Sequence, residues 1–121
     1  MVNLSPVNTL YFSELLPAAA PLLWQQLTSV LEEHAIPYQL LPQTKDIWAV
    51  DYMPVQVSRT EFVQFRYDPS YLKFKKYANE RTNATPVLAA LPLPGATLSP
   101  LRLDGGNVVR VGQKVIMRWS V

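Results

Sequence analysis

A mixed α/β fold is predicted by three features of this 121-residue chain. One stretch carries the apolar spacing of a helix and is flanked by runs rich in β-forming residues. Several short segments further along alternate apolar and polar positions between turn residues. Eleven prolines against four glycines imply many fixed turns and short elements, which argues against a bundle of long helices. With 49% hydrophobic and 17% charged residues, the composition is that of one folded domain over residues 1–121, too short for an ordinary two-domain enzyme.

The run NTLYFSEL, Asn8 to Leu15, reads as a short buried strand that ends in a loop at Pro17. Residues 18–35 form the clear helix: Leu23, Leu27, Val30, Leu31 and His34 share one stripe, with Gln25, Gln26, Ser29, Glu32 and Glu33 largely opposite. Pro21 suits its first turn and Pro37 ends it. The Leu and Trp positions between 22 and 31 read most simply as core. Tyr38 to Leu41 is the next strand, giving β-α-β with the two strands parallel beneath the helix. IWAVDYMPVQVSRTEFVQFRY reads as a β-hairpin reversing at Ser58-Arg59-Thr60, its first arm an apolar strand that carries Trp48 and Asp51.

Residues 68–86 lose periodicity and gather Lys73, Lys75, Lys76 and Arg81, so a surface loop is expected, with one helical turn near Tyr71 to Tyr77. PVLAALPLPGATLSP, residues 86–100, reads as a Pro-rich connector. The final segment, LRLDGGNVVRVGQKVIMRWSV, reads as a strand, a Gly-Gly turn and a hairpin reversing at Val111-Gly112-Gln113. The expected order is β-α-β-β-β, a coil, then β-β-β. It contains an echo: an acidic residue precedes a hairpin at Asp51 and again at Asp104.

Eleven Lys and Arg against nine Asp and Glu leave a charge of +2, too near balance to argue by itself for a nucleic-acid or membrane partner. Phe65 to Arg81 interleaves basic residues with aromatics, the ingredients of single-strand nucleic-acid binding, but a solvated loop with inward aromatics accounts for the same residues, and nucleic acid is not favoured. With no cysteine, disulfides, thiolate metal sites and cysteine nucleophiles are excluded. Zinc spacing and a Ser-His-Asp arrangement are absent, and GGN lacks the third glycine and the lysine of a phosphate loop, so no metal or cofactor is expected. The N-terminus has no basic or apolar leader region and no stretch approaches the length of a membrane span, which makes the cytoplasm the expected location.

Read alone, Asp51 caps a turn before Pro54 and Asp104 belongs to an ordinary Asp-Gly turn. Yet an ionised carboxylate in an apolar segment needs a partner with several donors. With their flanks, the two acids carry more. NTLYFSELL, DIWAVDYMPVQ, EFVQFRYDPSYL and LDGGNVV, in that order, resemble the bacterial agmatine deiminase and Porphyromonas-type peptidylarginine deiminase family of the guanidino-group-modifying superfamily. The resemblance covers most of residues 8–117. It implies a five-bladed α/β propeller of pentein type, of which this chain supplies the N-terminal portion, about two β-α-β-β blades.

The resemblance also implies a substrate site. Asp51 matches the acid of a Trp-x-Arg-Asp motif that holds a guanidinium through paired hydrogen bonds, and Trp48 matches its aromatic wall. Asp104 stands where relatives carry an acid before Gly-Gly, and Asn107 completes the GGN turn. A planar guanidinium offers parallel N–H donors that suit a carboxylate's two oxygens. Val50 departs from the motif's usual Arg.

The family's chemistry needs a nucleophilic cysteine and a His-x-Asp motif, because a guanidine carbon is a poor electrophile. Cysteine is absent here, and the one histidine, His34, precedes Ala35-Ile36 in the predicted helix, where a packed or half-exposed role is expected. The expectation is a truncated, catalytically inactive relative that keeps a half-site for agmatine or arginine and has no catalytic residue. Two other readings stand beside it: an interaction protein that forms a homo-oligomer through its C-terminal strands, Val108 to Val111 and Val115 to Trp119, and a weak nucleic-acid binder using the basic loop.

Overall fold

Strand β1 (Leu10–Ser13) and strand β2 (Tyr38–Leu41) run parallel, Leu10 opposite Tyr38 and Ser13 opposite Leu41, and are joined through helices α1 (Leu16–Ala19) and α2 (Pro21–Glu33). The computed structural model describes residues 9–69, 72–91 and 95–118. This is the expected β-α-β unit, with its helical stretch divided at Ala20: Pro17 and Pro21 each sit in a first turn, where a missing N–H costs nothing. Helix α2 closes with two backbone bonds, Ala35 N–H to the Glu32 carbonyl at 3.2 Å and Ile36 N–H to the Leu31 carbonyl at 2.8 Å, while Ala35 takes φ 52°.

Only part of the expected α2 stripe is covered. Trp24 meets Phe12 and Tyr38 edge-on at 5.6 and 5.7 Å, and Leu31 is buried, but Leu22, Leu23 and Val30 are exposed. A sheet of two strands is too narrow to cover a wide apolar stripe, so the reading of residues 22–31 as core holds on one flank alone. His34 is the exposed C-cap residue, its N–H donating to the Val30 carbonyl at 3.1 Å.

A second unit repeats the arrangement. Strand β3 (Val55–Gln56) pairs antiparallel with β4 (Phe62–Arg66) across the expected Ser58–Thr60 reversal, and β4 pairs in parallel with β5 (Thr97–Arg102). Two expectations are corrected here. The apolar run before Met53 is a turn and a short helix, α3 (Ala49–Tyr52), rather than a strand. Asp46 Oδ1 accepts the Trp48 N–H at 2.8 Å and turns the chain, and Met53 becomes extended ahead of Pro54. A short apolar run satisfies strand and helix alike, so periodicity does not separate them.

The supposed connector contains most of helix α4 (Ala84–Ala89) and of β5. Asn83 Oδ1 accepts the Thr85 N–H at 3.1 Å, which starts the helix and leaves Pro86 in its first turn. Pro100 lies on the edge strand where the register slips, Gln64 facing Leu98 but Arg66 facing Arg102. Residues 92–94 of that segment lie outside the described residues. The helical turn expected near Tyr71 to Tyr77 is a 3-10 helix at Lys75–Glu80; Tyr71 itself lies outside the described residues. Strands β6 (Val108–Val111) and β7 (Lys114–Met117) form the expected hairpin, in which Gly112 supplies φ 59° to a two-residue turn; the expected continuation to Trp119 lies outside the described residues. Among the described residues no helix is long and apolar enough to cross a membrane.

The two units meet over Leu41, Tyr52, Val87 and Leu91. Tyr52 is their common contact: its ring lies edge-on to Tyr67 at 5.8 Å, its hydroxyl donates to the Asp46 carbonyl at 3.2 Å, and its carbonyl accepts from Gln64 Nε2 at 3.0 Å. Burial, reinforced by the nearby Asp46 charge, pushes the Tyr52 phenol up to about 12 from 10.0. The folded state therefore holds this proton more tightly than the unfolded chain; the contribution is complete below pH 10 and is lost as pH rises toward 12. Urea unfolding is expected to show stability falling across that window. Tyr52→Phe should be about 1 kcal/mol less stable at neutral pH for want of its hydrogen bond and should show a smaller alkaline loss; an equal alkaline loss in both proteins would remove Tyr52 as its source.

Candidate functional site

Asp51 lies in α3, whose position is set by burial of the neighbouring Tyr52. Asp104 stands at the N-cap position of a 3-10 turn, Gly105–Asn107, that leads into β6, and its side chain makes no capping hydrogen bond. The turn packs against α3, and the Gly106 N–H donates to Asp51 Oδ1 at 3.2 Å. Two acids distant in sequence are thus brought to one place. The Gly-Gly pair is what permits it: a Cβ on Gly105 would collide with the Val50 carbonyl oxygen, and one on Gly106 would collide with Asp51 Oδ1. Neither glycine takes a positive φ, so close approach rather than backbone conformation requires them.

The charges of this region reinforce one another. The Asp104 carboxyl is pushed above its ordinary range, first by desolvation and then by the charge on Asp51. Desolvation likewise raises Asp46, opposed by its bond from the Trp48 N–H and assisted by Asp51 and Glu80. Among the described residues neither Asp51 nor Asp104 has an ion-pair partner. Two carboxylates held together without a counter-ion favour a cationic ligand. Trp48, 63% exposed, stands one turn before Asp51 at the N-cap of α3.

Asn107 arrives at the same turn but is engaged elsewhere. Its Nδ2 donates to the Arg118 carbonyl at 2.8 Å, and its Oδ1 accepts the Arg118 N–H at 3.3 Å, which clasps the base of the β6–β7 hairpin. Val50 is exposed and contributes its carbonyl to the contact with the glycine turn. Asp46 was not foreseen as part of this region; the signal for it is an Asp two residues before Trp48, the spacing of a side-chain-capped turn. Among the described residues no group of three or more His, Cys, Asp or Glu side chains is placed to hold a metal ion.

Replacing Gly105 by Ala should cost about 1–3 kcal/mol of stability, because the obstacle is backbone and α3 must move. Gly106→Ala should cost less, since the obstructing Asp51 carboxylate can rotate away. Urea midpoints decide the order, and a Gly105→Ala protein as stable as the parent would show that α3 and the turn do not pack.

Set against family models, curated proteins and solved structures, the chain matches none.

Proposed function

We propose that this protein binds a guanidino compound, agmatine or arginine, without chemical turnover, on a pair of propeller blades like the N-terminal portion of an agmatine or peptidylarginine deiminase. The observation that carries the reading is the approach of Asp51 and Asp104, two unpaired carboxylates with an exposed indole one turn away. A guanidinium can satisfy a carboxylate through two parallel N–H donors while its flat face meets an aromatic ring. The blade reading is supported by the repeat of plan: each parallel β-α-β unit is followed by a short helical turn, with an acid in it at Asp51 or just before it at Asp104, and then by a hairpin. With no cysteine in the chain, no thiol is present to attack the guanidinium carbon, and the ligand's C–N bonds stay intact.

Asp51 and Asp104 are each only partly buried, so water screens the attraction and affinity should be millimolar at best, about 4 kcal/mol. Titration of the protein with arginine and agmatine, followed by amide NMR, is expected to move Asp51, Gly105 and Gly106 saturably and to do so no longer in Asp51→Ala. No ammonia should be released. Spectra unchanged by either ligand would remove the guanidinium reading, and citrulline or carbamoyl-putrescine formation that depends on Asp51 would overturn the inactive one.

A second reading, assembly, rests on a separate observation. The β6–β7 hairpin pairs with itself alone among the described residues, and Val109, Val111, Val115, Ile116 and Met117 are all exposed. An isolated two-stranded ribbon with apolar side chains and open edges is marginal in water. A second copy of the chain, pairing or packing hairpin to hairpin across a twofold axis, would cover it. Light scattering at micromolar concentration should give the mass of a dimer, reduced to one chain by Val115→Lys; a single-chain mass for the parent protein would end this reading.

A further inference from the structure

A cavity of about 530 Å³ is walled by β4, β5 and the start of α4. Lys45, Arg66 and Arg81 line it, together with the polar side chains of Asn83, Thr85 and Ser99, and no acidic residue does. The only nearby carboxylate joined to these cations among the described residues is Asp68, 13% exposed, which accepts from Arg81 at 3.0 Å and pairs with Arg102 at 3.3 Å and Arg66 at 4.0 Å. One carboxylate therefore gathers three guanidinium groups. It can neutralise one of them, and its two oxygens cannot occupy the five N–H donors that each guanidinium carries. Lys45 adds a further cation, and its backbone N–H is tied to Thr82 Oγ1 at 2.9 Å in the cavity wall.

We propose that this cavity binds a phosphate-class dianion carried on a small polar molecule. Arginine forks match phosphate oxygens bidentately, and an excess of at least two positive charges matches a dianion better than a single carboxylate. The volume lies within the usual range of small-molecule sites and exceeds the needs of a bare phosphate, so the remainder of the ligand occupies it too. Phe65 and Tyr67 supply apolar wall for that part. A single-stranded nucleic acid is the weaker fit, because Lys73, Phe74, Lys75 and Lys76 all lie outside the cavity. The proposal is independent of the guanidinium site.

The test is amide NMR on the full chain with inorganic phosphate, ribose 5-phosphate, ribose, sodium chloride at matched ionic strength, and a short oligothymidylate. Saturable shifts at Thr82, Asn83, Thr85 and Ser99 are expected with the two phosphate probes, tighter for ribose 5-phosphate, and none with ribose or chloride. Arg66→Gln and Arg81→Gln should each weaken ribose 5-phosphate about tenfold, the loss of one charged hydrogen bond. Lys73→Gln, the same charge change outside the cavity, should leave it unaltered. Should removal of an Asp68 partner unfold the chain, Lys45→Gln, which breaks no ion pair among the described residues, takes its place with the same expectation. Absence of saturable shifts, an equal response to chloride or ribose, or equal weakening by Lys73→Gln would overturn the site. Equal affinity for the two phosphate probes would overturn the claim that the cavity takes more than phosphate, and tighter binding of the oligonucleotide, weakened by Lys73→Gln, would make the surface a nucleic-acid one.

Discussion

Burial of Tyr52 is the constraint on which the rest of the structure depends. Its ring fills the junction between the two β-α-β units, against Leu41 from the first and Val87 from the second. Its polar end lies beside a seam of buried hydroxyls, where Ser13 bonds Thr44 and Thr82 accepts from the Lys45 backbone. A phenol buried in this way needs partners for its oxygen, and the neighbouring turn supplies one through the Asp46 carbonyl. Because α3 is only one turn long, fixing Tyr52 fixes its neighbours. Asp51 is thereby aimed at the glycine turn, while Gln64, reaching from β4 to the Tyr52 carbonyl, ties the same turn to the three-stranded sheet.

The net charge of +2 conceals a separation of charge. Asp46, Asp51 and Asp104 concentrate about α3, where desolvation and the Asp51 charge oppose the ionisation of Asp46 and Asp104. Arg66, Arg81 and Arg102 concentrate about Asp68. Neither group neutralises the other, and each lies where an arrangement chosen only for stability would have interleaved opposite signs. The three guanidinium groups share the one carboxylate of Asp68, while Asp51 and Asp104 have no ion-pair partner among the described residues.

Much of the framework was legible in the sequence, and each failure has its own physical cause. The strand Tyr38–Leu41, the Ser58–Thr60 reversal and the Gly112 turn all announce themselves through local chemistry: a proline before the strand, small polar residues at the bend, a glycine at positive φ. The echo of Asp51 and Asp104 before two hairpins was also visible, although nothing local says that the two acids meet. That contact depends on two backbones approaching until no Cβ fits, which is a tertiary fact expressed in sequence only as Gly-Gly. Helix α3 was hidden because its four residues are too few to show a period, and α4 because Pro86 looks like a breaker until Asn83 is seen to start the helix three residues earlier.

The apolar surface follows from the same geometry. Sheets of two and three strands give each helix a narrow bed, so α2 leaves Leu22, Leu23 and Val30 in solvent while Leu31 is covered. The β6–β7 hairpin has no neighbouring strand among the described residues, and Val109, Val111 and Val115 are exposed for that reason. Buried hydrophobic side chains are correspondingly few, and the hydroxyl seam and Gln64 take up space that a larger sheet would fill with aliphatic residues. Polar groups inside so small a core demand defined partners, which makes the junction at Tyr52 specific as well as cohesive. The exposed flanks have no such demand placed on them, and an apolar face without a polar partner is satisfied by whatever surface of matching shape can exclude water from it.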